Sequence, residues 1–345
     1  MRLKSLIKPY VLSCLDILGI NWTLRKLSKT PVVFFWHGVS ETPDPIVEGE
    51  SFSVDLFIKQ IEFIERNYEI ISIDEFYIRY KNGTFTNREA VLTFDDGYKN
   101  NLTTAAPILK KHGLPFTVFV SAQNINNQER FYILVPRMII IGGELDEVSI
   151  PSMKYHRLLS TLQERIECAH EIEYKIKYYS HEEAKKIASD LIDNFGQDSF
   201  ETLCQRYRNG ELLAWEDVRK LISQYDCTIG SHCMDHCICH SNQPLSTVEL
   251  QLSESKTLIE KETGRECIYF AYPNGDYTEE TNKLVGKYYK MGFSTKETPI
   301  QAGISVPECI GRIGVPLTLI DLKFLLSKLA LRQMFNSRLR FCGLI

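Results

Sequence analysis

Two kinds of hydrophobic pattern alternate along most of this chain. Short unbroken apolar runs suit strands buried on both faces, and the longer stretches between them, apolar every three or four residues, suit amphipathic helices. Val32–Trp36 reads as the first strand and Val54–Asn67 as the first such helix, with Ser53 placed to cap it. A short strand over Ile70–Ser72 leads to a helix around Glu75–Lys81. A strand over Ala90–Phe94, a helix over Asn101–Lys111 and a strand over Pro115–Val120 follow. The rhythm resumes after residue 212 with a helix over Trp215–Gln224 and a strand over Thr228–Gly230. Ser246-Thr247-Val248-Glu249 has the capping-box pattern and opens a helix to about Glu262. Ile268–Ala271, Met291–Ser294 and Ile310–Val315 complete the strands. Repeated strand–helix units imply a mostly parallel α/β sheet, and about seven or eight strands imply a barrel, here over residues 31–320.

Residues about 122–212 break the rhythm as an insertion, apolar over Phe131–Ile141 and charged with helical character over Glu164–Asn194. Loops after barrel strands build the active face, so it could form a lid or substrate wall; a helical hairpin packed on the surface fits equally well. The first 30 residues form a basic segment of helical character, with Arg2, Lys4, Lys8, Arg25, Lys26 and Lys29 against Asp16. Residues 321–345 read as a basic amphipathic helix, in which Leu322, Leu325, Leu326 and Leu329 recur beside Lys323, Lys328 and Arg332, with Arg338 and Arg340 further on. Such ends either pack on the barrel, the reading we favour, or rest on an anionic membrane surface.

The strand Ala90–Phe94 stops at Asp95-Asp96-Gly97, which places two carboxylates at the C-terminal end of a buried strand, where α/β folds gather ligands. On an extended chain the two would point oppositely, one free to hold a metal and the other to handle a proton. An ordinary solvated turn is the plain alternative. Far along the chain, His232-Cys233-Met234-Asp235-His236 follows another strand-like stretch. Histidines at i and i+4 on one helical turn can share an ion, and Asp96 would complete a site with open positions, as catalytic metal sites have. Two unrelated surface histidines are the plain alternative.

Together these residues resemble the polysaccharide deacetylase family, the NodB homology domain. Thr93-Phe94-Asp95-Asp96-Gly97 stands without change from the family's first motif, His232–His236 follows its second with Cys233 in place of serine or threonine, and Phe270-Ala271-Tyr272-Pro273-Asn274-Gly275 is similar to its third. The resemblance covers roughly residues 30–315. It implies a distorted (β/α)7 barrel with a helical insertion, and metal-assisted removal of an acetyl group from an amino sugar. By resemblance Asp95 is the base, and Asp96, His232 and His236 hold a divalent metal, with zinc favoured by that ligand set. Tyr272, Pro273 and Asn274 would meet the substrate, the Asn274 amide stabilising the oxyanion. Two departures stand out. Ala271 occupies the place where many members carry an arginine that orients the base. No histidine follows His240, so the late histidine that serves as general acid is missing. His37, in Trp36-His37-Gly38-Val39, is the candidate replacement; a histidine hydrogen-bonded at the barrel mouth is the alternative. A glycan-binding protein with impaired catalysis and a hydrolase of small amides stay open as rival readings.

Composition changes this picture little. The chain has 345 residues, 44% hydrophobic, enough for a sizeable core, and a net charge of −4 that excludes a nucleic-acid partner on electrostatic grounds. Its ten cysteines include a cluster at Cys227, Cys233, Cys237 and Cys239, whose spacing lacks the paired motif of zinc ribbons. Reduced thiols in the cytoplasm are the expectation. So is the absence of a signal peptide, because Asp16 interrupts the apolar run after Tyr10.

Overall fold

The computed structural model describes residues 16, 18–27, 30–44, 46–48 and 51–341, with side chains through Met334 apart from Arg25, Leu27 and Pro45. The basic residues Arg2, Lys4, Lys8 and Lys29, and the side chains of Arg338 and Arg340, lie outside what is described.

The main sheet is built from β1 (Val32–Trp36), β2 (Glu69–Ile70), β3 (Glu89–Phe94), β4 (Phe116–Val120), β5 (Cys227–Ser231), β6 (Tyr269–Ala271), β7 (Met291–Ser294), β8 (Ile310–Gly311) and β9 (Ile313–Gly314). Every pairing is parallel, in the order β8-β7-β6-β5-β4-β3-β1-β9, with β2 alongside the start of β3. β8 and β9 are two halves of one stretch separated by Arg312. The first half pairs β7 (Phe293 with Ile310) and the second pairs β1 (Phe34 with Ile313), so this single stretch closes the ring. Counted that way the barrel has seven staves, a (β/α)7 barrel. The chain steps across the seam on two backbone bonds, Arg312 N–H to Ser294 O (3.0 Å) and Val315 N–H to Phe35 O (3.1 Å).

Alternation along the strands sorts the core into layers. Val33, Val91, Phe119, Ala271 and Phe293 pack together inside the barrel, while Phe34, Trp36, Leu92 and Phe94 face the surrounding helices. Trp36 and Phe94 stack at 5.7 Å, and the Trp36 indole N–H is satisfied by Gln60 Oε1 at 3.0 Å. Inward-facing Val91 and Thr93 lead in the same register to Asp95 at the top of β3.

Most elements fall within a residue or two of the pattern-based expectation; the helices Val54–Asn67 and Trp215–Gln224 match it at both ends. Two helices depart from it. The helix over Leu245–Thr263 begins at Leu245 with no side-chain cap, so Ser246 lies inside the first turn and its box is unused. Asn101–Lys111 opens instead as a single π-turn, Asn101–Ala105, before the regular helix Ala106–His112. π-turns gather at functional sites, and here buried Asn101 donates to the His37 carbonyl at 2.8 Å.

The insertion has its own hydrophobic core, centred on Ile139, Ile140, Ile172, Ile187 and Leu191. Its helices Leu162–Ile176 and His181–Phe195 each start at a complete capping box, Thr161 with Glu164 and Ser180 with Glu183. It also contains an antiparallel hairpin, Glu147–Ile150 with Tyr155–Leu158, whose four-residue strands are too short for periodicity to reveal. The helix Leu319–Phe341 buries Leu322, Leu326 and Leu329 in the barrel's outer core, and Asn21 of the helix Ile20–Leu27 accepts from Ser327 Oγ at 3.2 Å.

Candidate active site

β3 ends in a turn that carries both carboxylates to one place. Asp95 continues the ladder, its N–H bonding Trp36 O at 2.9 Å. Asp96 then enters the left-handed region at φ 73°, followed by Gly97 at φ 81°. A Cβ on Gly97 would come within 3.1 Å of Val120 and Ile125. The extended arrangement expected for the pair is therefore replaced by a tight turn, and both side chains reach the same cavity instead of opposite faces. Both are buried, at 3% and 6% exposure.

The two histidines also meet by a route other than the expected helical turn. His232–His236 is a non-helical loop with left-handed Cys233 (φ 65°) and His236 (φ 60°). The loop is held from several sides. Gln251 Oε1 accepts from the Met234 and Asp235 N–H groups at 3.0 and 3.3 Å, and Ala122 and Gln123 N–H bond the carbonyls of Cys233 and Met234. The result puts His232 Nε2 3.5 Å and His236 Nε2 3.6 Å from Asp96 Oδ1, and one ligand atom from each residue lies within 4.8 Å of the others.

These groups suit a cation. His232 Nδ1 sits 2.7 Å from Ala271 O, and a carbonyl can only accept, so Nδ1 carries the proton and Nε2 presents its lone pair. Burial lowers the pKa of both imidazoles, His236 well below the usual histidine value with His232 and His37 adding to the effect, so both are neutral. Asp96 Oδ1 is buried with no hydrogen-bond partner, and burial pushes its carboxyl up. A fully enclosed carboxylate oxygen beside the Nε2 atoms of two imidazoles is an unmet electrostatic demand that a divalent cation answers.

Asp95 is furnished differently. Arg312 grips it with two parallel bonds, Nη1 to Oδ1 and Nη2 to Oδ2, each 2.7 Å, and also donates to Thr93 Oγ1 at 3.2 Å. The guanidinium is fully buried and lies over the Phe35 ring at 4.6 Å. Burial alone would raise the Asp95 pKa; Arg312, then His232, outweigh it and hold the carboxyl below its ordinary value. Arg312 was invisible to motif reading, although an arginine within the apolar stretch Ile310–Val315 signals a buried partner. It reaches Asp95 from the stretch that closes the barrel, while Ala271 carries no group that could.

The carboxylates and histidines open into a cavity of about 320 Å³ that His37, Tyr272 and Asn274 also line. Pro273 is buried behind them and does not line it. The Tyr272 hydroxyl is committed to Asn282 Oδ1 (2.8 Å) and Glu308 O (2.9 Å), so the tyrosine shapes the wall by its ring. Asn274 turns through φ 58° at the mouth. The far wall comes from the insertion: Phe131, Ile133, Leu134, Arg137, Glu173 and Lys177. That wall is tied to the histidine loop by Tyr132 Oη to His236 O (3.1 Å) and by Asp235, which meets both His181 Nε2 and Lys185 Nζ at 2.8 Å. Among the described residues the insertion forms a wall of the cavity, tied to the histidine loop and with a core of its own.

Residues 82–291 match the family described as polysaccharide deacetylase. No curated protein matches the sequence. Among solved structures, the Streptococcus pyogenes deacetylase PplD in complex with acetate is similar at 15% identity, with 87% of this chain and 98% of that one covered and a TM-score of 0.57. IcaB from Ammonifex degensii is similar at 16% identity over 88% and 97% of the chains, TM-score 0.56. A de-N-acetylase from Aggregatibacter actinomycetemcomitans follows at 14% identity over 86% and 99%, TM-score 0.53. At these identities the likeness is one of fold.

Proposed function

Because this chain belongs to the polysaccharide deacetylase family, we propose that it hydrolyses the N-acetyl group of an amino sugar in a polysaccharide or its precursor, with a divalent cation, best zinc, held by Asp96, His232 and His236. The observation that carries this reading is the contrast between neighbours: Asp95 clamped by Arg312, Asp96 with an oxygen left open beside two imidazoles. When bound, the ion supplies Lewis-acid polarisation of the acetyl carbonyl and of water. Asp95, kept ionised and oriented by Arg312, takes the proton of the attacking water. The Asn274 N–H, held by the turn at Pro273–Gly275, faces the developing oxyanion. His37 at the cavity rim returns a proton to the leaving amine. The insertion wall favours a sugar over a small amide, because the cavity of about 320 Å³ that it helps to line has room for a sugar ring. The loss of the third-motif arginine at Ala271 does not imply an impaired enzyme, since Arg312 meets Asp95 from another strand.

Acetate release from chitooligosaccharides by the zinc-loaded protein tests this. Wild-type turnover that falls about 10³-fold in Asp95→Asn is the expected result; no release from any acetamido sugar by metal-loaded wild type sinks it. His37→Ala should slow release about 10²–10⁴-fold if the imidazole is the acid.

We infer a cytoplasmic location, with the C-terminal helix packed on the barrel and, as a second reading, a peripheral contact of the exposed N-terminal residues with an anionic membrane surface. Supporting this, none of the eight described cysteines forms a disulfide, and Leu18, Ile20 and Trp22 are exposed beside Lys26. Among the described residues no helix is long and apolar enough to cross a membrane. Cosedimentation with phosphatidylserine vesicles, lost on Trp22→Ser/Lys26→Ser, checks the contact.

A further inference from the structure

Among the described residues, the insertion wall holds one cation that no carboxylate neutralises. Arg137 is spoken for, its Nε and Nη2 bonding the two oxygens of Glu173 at 2.5 and 2.7 Å. Lys177, half-buried on the same wall, has no carboxylate within 4.0 Å of Nζ among the described residues, yet its charge is felt at His236. The turn that presents it is pinned to the loop after the histidines. Asn242 Nδ2 donates to Tyr178 O at 2.7 Å, Gln243 Nε2 to Tyr179 O at 3.4 Å, and His181 N–H to Gln243 Oε1 at 2.8 Å.

The charge balance of the cavity points the same way. Three carboxylates (Asp95, Asp96, Glu173) face three cationic side chains (Arg137, Lys177 and, behind Asp95, Arg312). A divalent ion at Asp96 therefore leaves these groups with a surplus of two positive charges. A neutral acetamido sugar would leave that surplus, and the Lys177 ammonium, without a counter-charge in a partly dry space.

We infer that Lys177 is a specificity-determining residue that recognises an anionic group, a phosphate ester or a carboxylate, carried by the amino sugar whose acetamido group enters the site. This rests on the deacetylase reading for the identity of the sugar, but not for the anion preference. A lysine at the end of the helix Leu162–Ile176 also complements that helix's dipole, an effect that acts on stability and leaves ligand preference alone.

The test separates these roles. Calorimetric binding is measured on metal-free wild type, Lys177→Met and Lys177→Arg, so that no metal–anion contact contributes. The ligands are N-acetylglucosamine, its 1-phosphate, and N-acetylmuramic acid. The expected result is tighter binding of at least one charged sugar than of the neutral one by about tenfold, the preference falling about five- to tenfold in Lys177→Met and kept in Lys177→Arg. Preference for the phosphate or for the carboxylate names the source of the charge. Equal binding of neutral and charged sugars by the wild type, or a preference unchanged in Lys177→Met, overturns the inference. Turnover of the same sugars by the zinc-loaded protein is read separately. Anion preference without any acetate release would sink the deacetylase reading and keep Lys177's role; release without preference would do the reverse.

Discussion

The two ends of β3 both bury carboxylates, and they furnish them in opposite ways. At the start of the strand Glu89, with no side-chain exposure, accepts from Thr86 N–H at 2.6 Å, Thr86 Oγ1 and Arg79 Nη1 at 3.0 Å, and Arg88 N–H at 2.9 Å. Arg79 is shared further with Glu69 and Glu75, so the whole cluster is saturated from within the chain. At the far end Asp96 is as deeply enclosed but keeps Oδ1 without a partner. A buried charge that serves stability is fully bonded; one left incomplete in an otherwise over-determined turn marks the place where something from outside must bind. The same division between a stabilising and a reactive end holds across barrels generally.

Exchanging single atoms at each end is the sharpest way to break this contrast. Asp96→Asn should remove the bound ion and, with it, essentially all turnover. In the metal-free protein it should leave thermal stability unchanged or raised, because it discharges a buried carboxylate whose Oδ1 has no partner. Asp95→Asn should keep the ion and lose about 10³-fold in kcat. Metal content, acetate release and melting temperature of the two variants check both statements. A metal-free Asp96→Asn protein that melts well below wild type would mean Asp96 is structural after all.

Arg312 sits between the two cases, because it is both a seam residue of the barrel and the clamp on Asp95. Arg312→Met leaves the Asp95 carboxylate buried and unpaired, which should cost about 3–5 kcal/mol in unfolding free energy along with most of the activity. Adding Asp95→Asn removes the stranded charge. Urea denaturation of the double variant should recover a large part of the stability and none of the turnover. A loss in the double variant equal to the sum of the two singles would show that the pair is not coupled and that Arg312 only fills space.

What could be read from the chain divides along physical lines. Strands and helices such as Val32–Trp36 and Val54–Asn67 declare themselves because periodicity and a Ser53-type cap are local. The gathering of Asp96, His232 and His236 was anticipated by residue type and spacing, but the means were not. A left-handed Asp96, and a loop with left-handed Cys233 and His236, are decided by packing against Val120, Ile125 and Gln251. The clamp of Arg312 on Asp95 joins positions 217 apart through the closing of the ring, which no local pattern records. The reach of Lys177 and Arg137 into the cavity is likewise a product of the insertion's own core, whose short strands and π-turn carry weak periodic signals.

The mildest test concerns Glu89 alone. Its hydrogen bonds from Arg79 and the Thr86 and Arg88 backbone belong to the charged form, so Glu89→Gln should lower stability by about 2 kcal/mol at neutral pH and leave kcat untouched. The pH dependence follows from the sign of its shift. Burial would raise the carboxyl's pKa, but the backbone donors and Arg79 prevail and hold it below the ordinary 4.5. A group with a depressed folded pKa contributes its full stabilisation above the unfolded value and loses it as pH falls through the folded one. The gap between wild type and Glu89→Gln should therefore be constant from pH 7 to about 5 and close as the pH drops below 4.5. Urea midpoints across that range measure it directly. A gap that persists unchanged at acid pH would mean that the glutamate's shape, and not its charge, holds the base of the barrel, and the contrast with Asp96 would then be one of packing instead of electrostatics.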